Sequence, residues 1–199
     1  MTVAAAAAVV ALVSGTVTTT LIVILHFVEP EYDPSWRMIS EYSLGRHGWL
    51  MRVAFIAMAV SPAAICVALW PSGGGWTIGL AIVALGALGA AFVDADPIMT
   101  PRTAATRVGR VHTVLGSLCI IGFPIAALTS GIGSASALGW TLAIASLVPW
   151  AGLTWFLVVS ASAHGLAGSP QVRVGWPDRA CLVGYFAWVA LAAAQVLSS

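Results

Sequence analysis

The sequence predicts an all-α fold: a polytopic bundle of six transmembrane helices forming one domain over residues 1–199. Three observations carry that expectation. First, 60% of the residues are hydrophobic and only 8% are charged, against about 25% charged in an ordinary soluble domain, and mean hydropathy is +0.98. Second, uncharged runs recur along the chain, and a membrane helix needs about 20 mostly apolar residues. Third, strand-like alternation is missing. Hydrocarbon admits only helices and closed barrels, because backbone polar groups must be satisfied internally, so helices are the expectation.

The spans follow in order. The first covers about residues 3 to 27, "VAAAAAVVALVSGTVTTTLIVILHF" after the opening Met-Thr. It has no positively charged leader and exceeds the 7–15 apolar residues of a secretory signal, so it reads as a membrane helix. A polar stretch follows, and "HFVEPEYDPSWRMISEYSLGRHGW" (26 to 49) holds four acids, two arginines and two histidines. The second span covers about 50 to 70 and turns through "PSGGG" (71 to 75) into a third at 76 to 94. After the polar segment 95 to 109 come a fourth span at 110 to 130, a short "GIGSAS" turn and a fifth span at 136 to 160. A last polar loop, 161 to 178, precedes the sixth span at 179 to 197.

Pro62, Pro124 and Pro149 fall inside spans, where each is expected to kink its helix or widen it. Small residues, as in "GLAIVALGALGAAF" (79 to 92), permit close helix approach. The nine tryptophans lie mostly near span ends and read as an interfacial belt.

Threading the spans alternately puts both termini and the two short turns on one membrane face. The other face receives all eight arginines, all seven acids and all four histidines. By the positive-inside rule this charged face is expected in the cytoplasm, with both termini outside. Basic residues are all arginine, which with the Ala, Gly and Val richness points to a GC-rich bacterial genome and hence to a multi-pass protein of the bacterial plasma membrane. A net charge of +1 argues against a nucleic-acid partner, since phosphates are met with a basic surface. Cys66, Cys119 and Cys181 lie in separate apolar runs without metal spacing and read as buried small hydrophobes.

Ionisable groups that dip below the interface usually face a protein interior or water, which makes them functional candidates. His26 and Glu29 lie one helical turn apart at the end of the first span. The hairpin of spans three and four brings "DADP" (94 to 97) close to "RVGRVH" (107 to 112), within expected reach of an Asp–His or Asp–Arg contact. Three readings stay open. The groups form an internal hydrogen-bonded and ion-paired network; or Arg37, Arg107 and Arg110, with Ser40 and Glu41, bind an anionic lipid head group or solute; or the site is a metal-dependent hydrolase acting on a lipid. In the last, His26, Glu29, Asp94 and His112 would hold a divalent metal such as zinc with an open water position, and His112, Asp94, Asp96 and Glu29 are the catalytic candidates. No HExxH, HxxxH or nucleophile elbow is present. Haem is not expected, because the opposite face lacks histidines. His47 and His164 read as loop histidines. The expected partner is membrane lipid. A membrane-protein partner, with the chain as accessory subunit, and a homo-oligomer remain alternatives.

At "DPSWRMISEYSLG" (33 to 45), "FVDADP" (92 to 97) and "RVGRVHTVLG" (107 to 116), the chain resembles a prokaryotic membrane family known as domain of unknown function 998. The resemblance implies six spans and marks Ser40, Glu41, Asp94 or Asp96, and His112 as family-like positions, without implying a reaction. More distantly the family is similar to the eukaryotic Frag1/DRAM/Sfk1 membrane proteins. That kinship implies lipid handling and would place the first loop on the exoplasmic side, against the arginine distribution.

Overall fold

The computed structural model describes residues 1–98, 100–101, 103–133, 136–162 and 169–198. Among these, all regular structure is helical. Helix α1 (Val3–Val28) is capped by Thr2, whose hydroxyl accepts the Ala5 N–H. Helix α2 spans Gly48–Gly73, and a 3-10 turn, Gly74–Thr77, leads into α3 (Ile78–Ala90). The fourth crossing is split into α4 (Arg107–Ile120) and α5 (Gly122–Gly133), the fifth into α6 (Ala137–Ala145) and α7 (Leu147–Ser162). Helix α8 (Gly175–Ser198) closes the bundle.

Five of the six expected spans are long and apolar enough to cross a membrane: Val3–Val28, Gly48–Ser72, Arg107–Gly133, Ala137–Ser162 and Gly175–Ser198. The third, Gly74–Ala90, is shorter. With four 3-10 residues at about 2.0 Å and thirteen α residues at about 1.5 Å each, it reaches about 27 Å, a little less than a 30 Å hydrocarbon core. The helix ends four residues before the expected boundary because Ala91 and Phe92 tighten into turns on the carbonyls of Leu88 and Gly89.

The prolines act unequally. Pro124 and Pro149 each follow a break three residues upstream, at Ile121 and Ser146, as expected for a ring that removes an N–H and crowds the carbonyl four residues back. Pro124 strips the Ile120 carbonyl of its helical donor, and the Tyr185 hydroxyl of α8 donates to it instead. Pro62 sits within an unbroken α2.

Helices α1 and α2 pack along their length with hydroxyls bridging them: Ser61 Oγ donates to the Ala11 carbonyl at 3.0 Å and Thr18 Oγ1 to the Ala54 carbonyl at 3.3 Å. The main core gathers Ile65, Leu80, Phe123, Leu142 and Trp188, and a second core, with Leu25, Tyr42, Met51 and Phe55, lies toward the charged end. Trp188 departs from the belt expectation: it is buried, stands edge-on to Phe123 and donates to the Leu142 carbonyl at 2.9 Å. The outer surface carries exposed Leu85, Phe92 and Ile144, as lipid contact requires.

Candidate functional site

The stretch after α1 forms a roof over the charged end of the bundle. Asp33 Oδ1 accepts the Ser35 N–H at 2.8 Å, the local turn that an Asp-Pro-Ser sequence favours. That hydrogen bond holds the Asp33 carboxyl below its ordinary pKa. A 3-10 helix, Ile39–Leu44, follows. Its Glu41 is only 1% exposed, and both of its oxygens are satisfied. Oε1 accepts from Arg37 Nη1 at 2.6 Å and from the Ile98 N–H at 3.0 Å, while Oε2 accepts the Met38 N–H at 2.9 Å. One carboxylate therefore pins the roof to the segment after α3. The Arg37 guanidinium lies over the rings of Trp36 and Tyr32, at 4.6 and 5.0 Å.

Glu29, at the C-cap of α1, is equally buried and turns to His47, accepting hydrogen bonds from its backbone N–H and, at 3.0 Å, from ring Nδ1. Burial opposes its charge, but the hydrogen bonds from His47 prevail and the Glu29 pKa is held low. The carboxylate lies against Gly45, where a Cβ would come within 2.6 Å of Oε2.

Beneath the roof lies a buried guanidinium. Arg179, on the second turn of α8, donates from Nε to His26 Nε2 at 2.8 Å, from Nη1 to the carbonyls of Arg37 (2.8 Å) and Gly175 (3.0 Å), and from Nη2 to the Tyr42 hydroxyl at 3.3 Å. His26 Nδ1 lies 2.6 Å from the Ile22 carbonyl, which only accepts, so this nitrogen carries the proton and Nε2 is free to receive Arg179. Neighbouring Asp178 takes the Ile39 N–H on Oδ2 at 2.7 Å.

The α3–α4 hairpin supplies a third group. Thr106 caps α4 by accepting the Gly109 N–H at 2.8 Å, and Asp96 receives both the N–H and the hydroxyl of Thr106 at 2.9 Å. Only glycine fits at 109, since a Cβ there would lie 2.1 Å from the Asp96 carboxylate. His112, one turn further, is 6% exposed and donates from Nδ1 to the Val93 carbonyl at 2.8 Å. Asp94 faces outward to Arg52 at 2.8 Å. Arg110 donates to the Ala105 carbonyl at 2.6 Å, and Arg107 stands exposed on the same turn.

These elements enclose a cavity of about 440 Å³. Its charged end is lined by Ser40, Glu41, Asp96, His112, Ser160 and Asp178, and its shaft by apolar residues including Phe55, Met58, Val83, Phe123, Leu182 and Phe186. Ile121 and Leu157, which are 43% and 47% exposed on the outer surface, also line it, so the cavity reaches the lipid-facing side between α4–α5 and α7.

The candidates of the sequence are thus divided among several local networks. His26 belongs to Arg179, Glu29 to His47, Asp94 to Arg52, Asp96 to Thr106 and His112 to Val93. The expected hairpin proximity is present, with backbone and threonine contacts in place of an Asp–His or Asp–Arg pair. Among the described residues no group of three or more His, Cys, Asp or Glu side chains is arranged to hold a metal ion. Ser40, Glu41, Asp96 and His112 meet at one cavity; Arg37, Arg107 and Arg110 do not line it. Arg102 and His164 lie outside the described residues.

Arg179, Asp178 and Ser160 emerge as central without having been singled out. For the first two a signal existed. Pro177 in "GWPDR" is a residue tolerated in a first helical turn, which puts the helix start upstream and carries Asp178 and Arg179 into the bundle.

A family model described as a protein of unknown function (DUF998) matches residues 4–195. No curated protein and no solved structure matches the chain.

Proposed function

The chain belongs to the DUF998 family, and from that premise we propose that this integral membrane protein binds a lipid, drawing its tail from the bilayer into the cavity and meeting its head group at the charged end. One observation carries the reading: the cavity has its charged side chains at one end, a mainly apolar shaft where the Ser117 and Tyr185 hydroxyls are spent on backbone carbonyls, and adjoins lipid-facing surface at Ile121 and Leu157. An amphiphile has that same division. The volume of about 440 Å³ falls in the ordinary range of ligand sites, about 300–1,000 Å³. The exposed Arg107 and Arg110 stand on the first turn of α4, where arginines can engage phosphates of surrounding lipids.

The test uses Gly116, which lines the cavity and where an added Cβ meets nothing within 4 Å. Gly116→Phe fills the shaft from one wall without a clash at the backbone. Native mass spectrometry of the wild-type chain in mild detergent is expected to show a retained lipid, and the variant, with an unchanged melting temperature, at least a tenfold lower occupancy. Equal occupancy in both proteins, or none in the wild type, would remove the reading.

A further inference from the structure

Four groups at the charged end of the cavity have hydrogen-bonding capacity that the chain leaves unused. Asp178 is 7% exposed and spends Oδ2 on the Ile39 N–H, while Oδ1 has no partner among the described residues. His112, with Nδ1 committed to Val93, has a bare Nε2 lone pair in its neutral form. Ser160 Oγ is buried and makes no hydrogen bond, although the carbonyl one turn back is the usual acceptor for a helical serine. Ser40 likewise makes no side-chain hydrogen bond to the described residues. All four line the one cavity. For the fully buried Ser160 hydroxyl the lack of a partner is uncommon, because leaving a buried polar atom unpaired costs about 1–3 kcal/mol.

The other polar groups nearby are spent. Glu41 and Asp96 each receive protein donors on both oxygens, and the hydroxyls of Thr100 and Thr113 bond to carbonyls. What remains among the lining residues is a carboxylate oxygen, an imidazole lone pair and the Ser40 hydroxyl, with the unpaired Ser160 hydroxyl buried in the wall, where a change of side-chain rotamer would present it to the cavity. All four groups can accept a proton donor, and among the described residues no arginine lines the space.

Resting on the lipid-binding reading above, we infer that the cavity selects an uncharged, hydroxyl-bearing head group, whose O–H groups donate to Asp178 and His112 and exchange hydrogen bonds with Ser40 and Ser160. A phosphate would face the Asp178 carboxylate with no cationic side chain among the described lining residues, a like-charge encounter in a poorly screened place. A carboxylate with a neighbouring acceptor suits two adjacent hydroxyls, as in a glycerol or sugar head group. A single alkylammonium could donate to Asp178 and His112 but offers no acceptor for the serine hydroxyl protons.

The experiment measures binding of four amphiphiles of one chain length to the full chain in phosphatidylcholine nanodiscs: a monoacylglycerol, an alkyl glucoside, an alkyl phosphate and an alkylamine. The expected result is that one or both hydroxylated probes bind at least tenfold more tightly than the phosphate and the amine. The stronger of the two tells glycerol from sugar as the source of the hydroxyls. Asp178→Asn, which keeps an acceptor for the Ile39 N–H, is expected to lower that preferred binding about tenfold. Ser160→Ala is expected to lower it severalfold while leaving the melting temperature unchanged or higher, since it removes an orphaned hydroxyl. If all four probes bind equally and Gly116→Phe blocks them all, the cavity reading survives and the head-group inference is lost. Tightest binding by the phosphate or the amine overturns the inference in the same way. Absence of binding by every probe, with no effect of Gly116→Phe, overturns both.

Discussion

The Glu29 carboxylate joins the end of α1 to the start of α2 through His47, and its pH dependence has a definite sign. Because its folded pKa lies below the unfolded value of about 4.3, the stabilisation is complete above that value and is lost as pH falls through the folded pKa. Thermal unfolding in detergent should therefore show a steep loss of melting temperature below about pH 4. Glu29→Gln should flatten that limb and cost about 1.5–3 kcal/mol at neutral pH, the range for hydrogen bonds to a charged acceptor. An unaltered acid limb in the variant would place the titrating group elsewhere. Arg179 makes a different demand. Its planar fork reaches His26, two carbonyls and Tyr42 at once, whereas a lysine presents one point of charge. Arg179→Lys is expected to destabilise by about 1–3 kcal/mol, read as a fall in melting temperature; retention of full stability would show that the roof does not depend on this network.

At the level of elements, the broken fourth crossing and α8 are joined by one hydroxyl. Tyr185→Phe removes the donor that replaces the N–H missing at Pro124, and should cost about 1–3 kcal/mol as the Ile120 carbonyl is left unpaired. In Pro124→Ala the helix can supply its own N–H, so the same Tyr185→Phe change should cost less there. A double-mutant cycle measures this, and additive effects would argue against the link. The roof docks on α8 at Gly175, where a Cβ would lie 2.2 Å from the Pro34 carbonyl oxygen, a backbone atom with little room to move. Gly175→Ala should lower the melting temperature by an amount equivalent to about 1–3 kcal/mol.

The elements themselves were largely legible, because long apolar runs and polar interruptions determine where a chain can cross hydrocarbon. Pro124 and Pro149 were readable as breaks for the same local reason. The pairing of side chains was not. His26 and Glu29 share a turn of sequence, yet one reaches α8 and the other α2, since the partner is chosen by how whole helices rotate against each other. Ser160 gave no sequence signal at all: a serine in an apolar run usually satisfies itself on its own helix, and only the packed structure shows its hydroxyl unpaired in the cavity wall.

For the whole molecule, sidedness is the property most open to measurement. The described arginines, histidines and acids cluster at one end of the bundle, while the Gly74–Thr77 turn lies at the other. Single cysteines placed at Arg46 and at Ser72, in a background with the native cysteines replaced, should label from opposite sides of a sealed vesicle. If the positive-inside rule governs this chain, Arg46→Cys labels from the cytoplasmic side. Labelling of both positions from one side would be incompatible with the bundle.

The short third crossing carries one more consequence. Where Gly74–Ala90 meets the lipids, a segment of about 27 Å falls short of a hydrocarbon layer of about 30 Å, and the mismatch is relieved by thinning the adjoining leaflet or by drawing flanking residues inward. Such a dimple is an energetic cost borne by the lipids, so the protein should favour thinner membranes and disturb molecular order on that flank. In reconstituted bilayers of graded acyl length, its partitioning should shift toward the shorter chains.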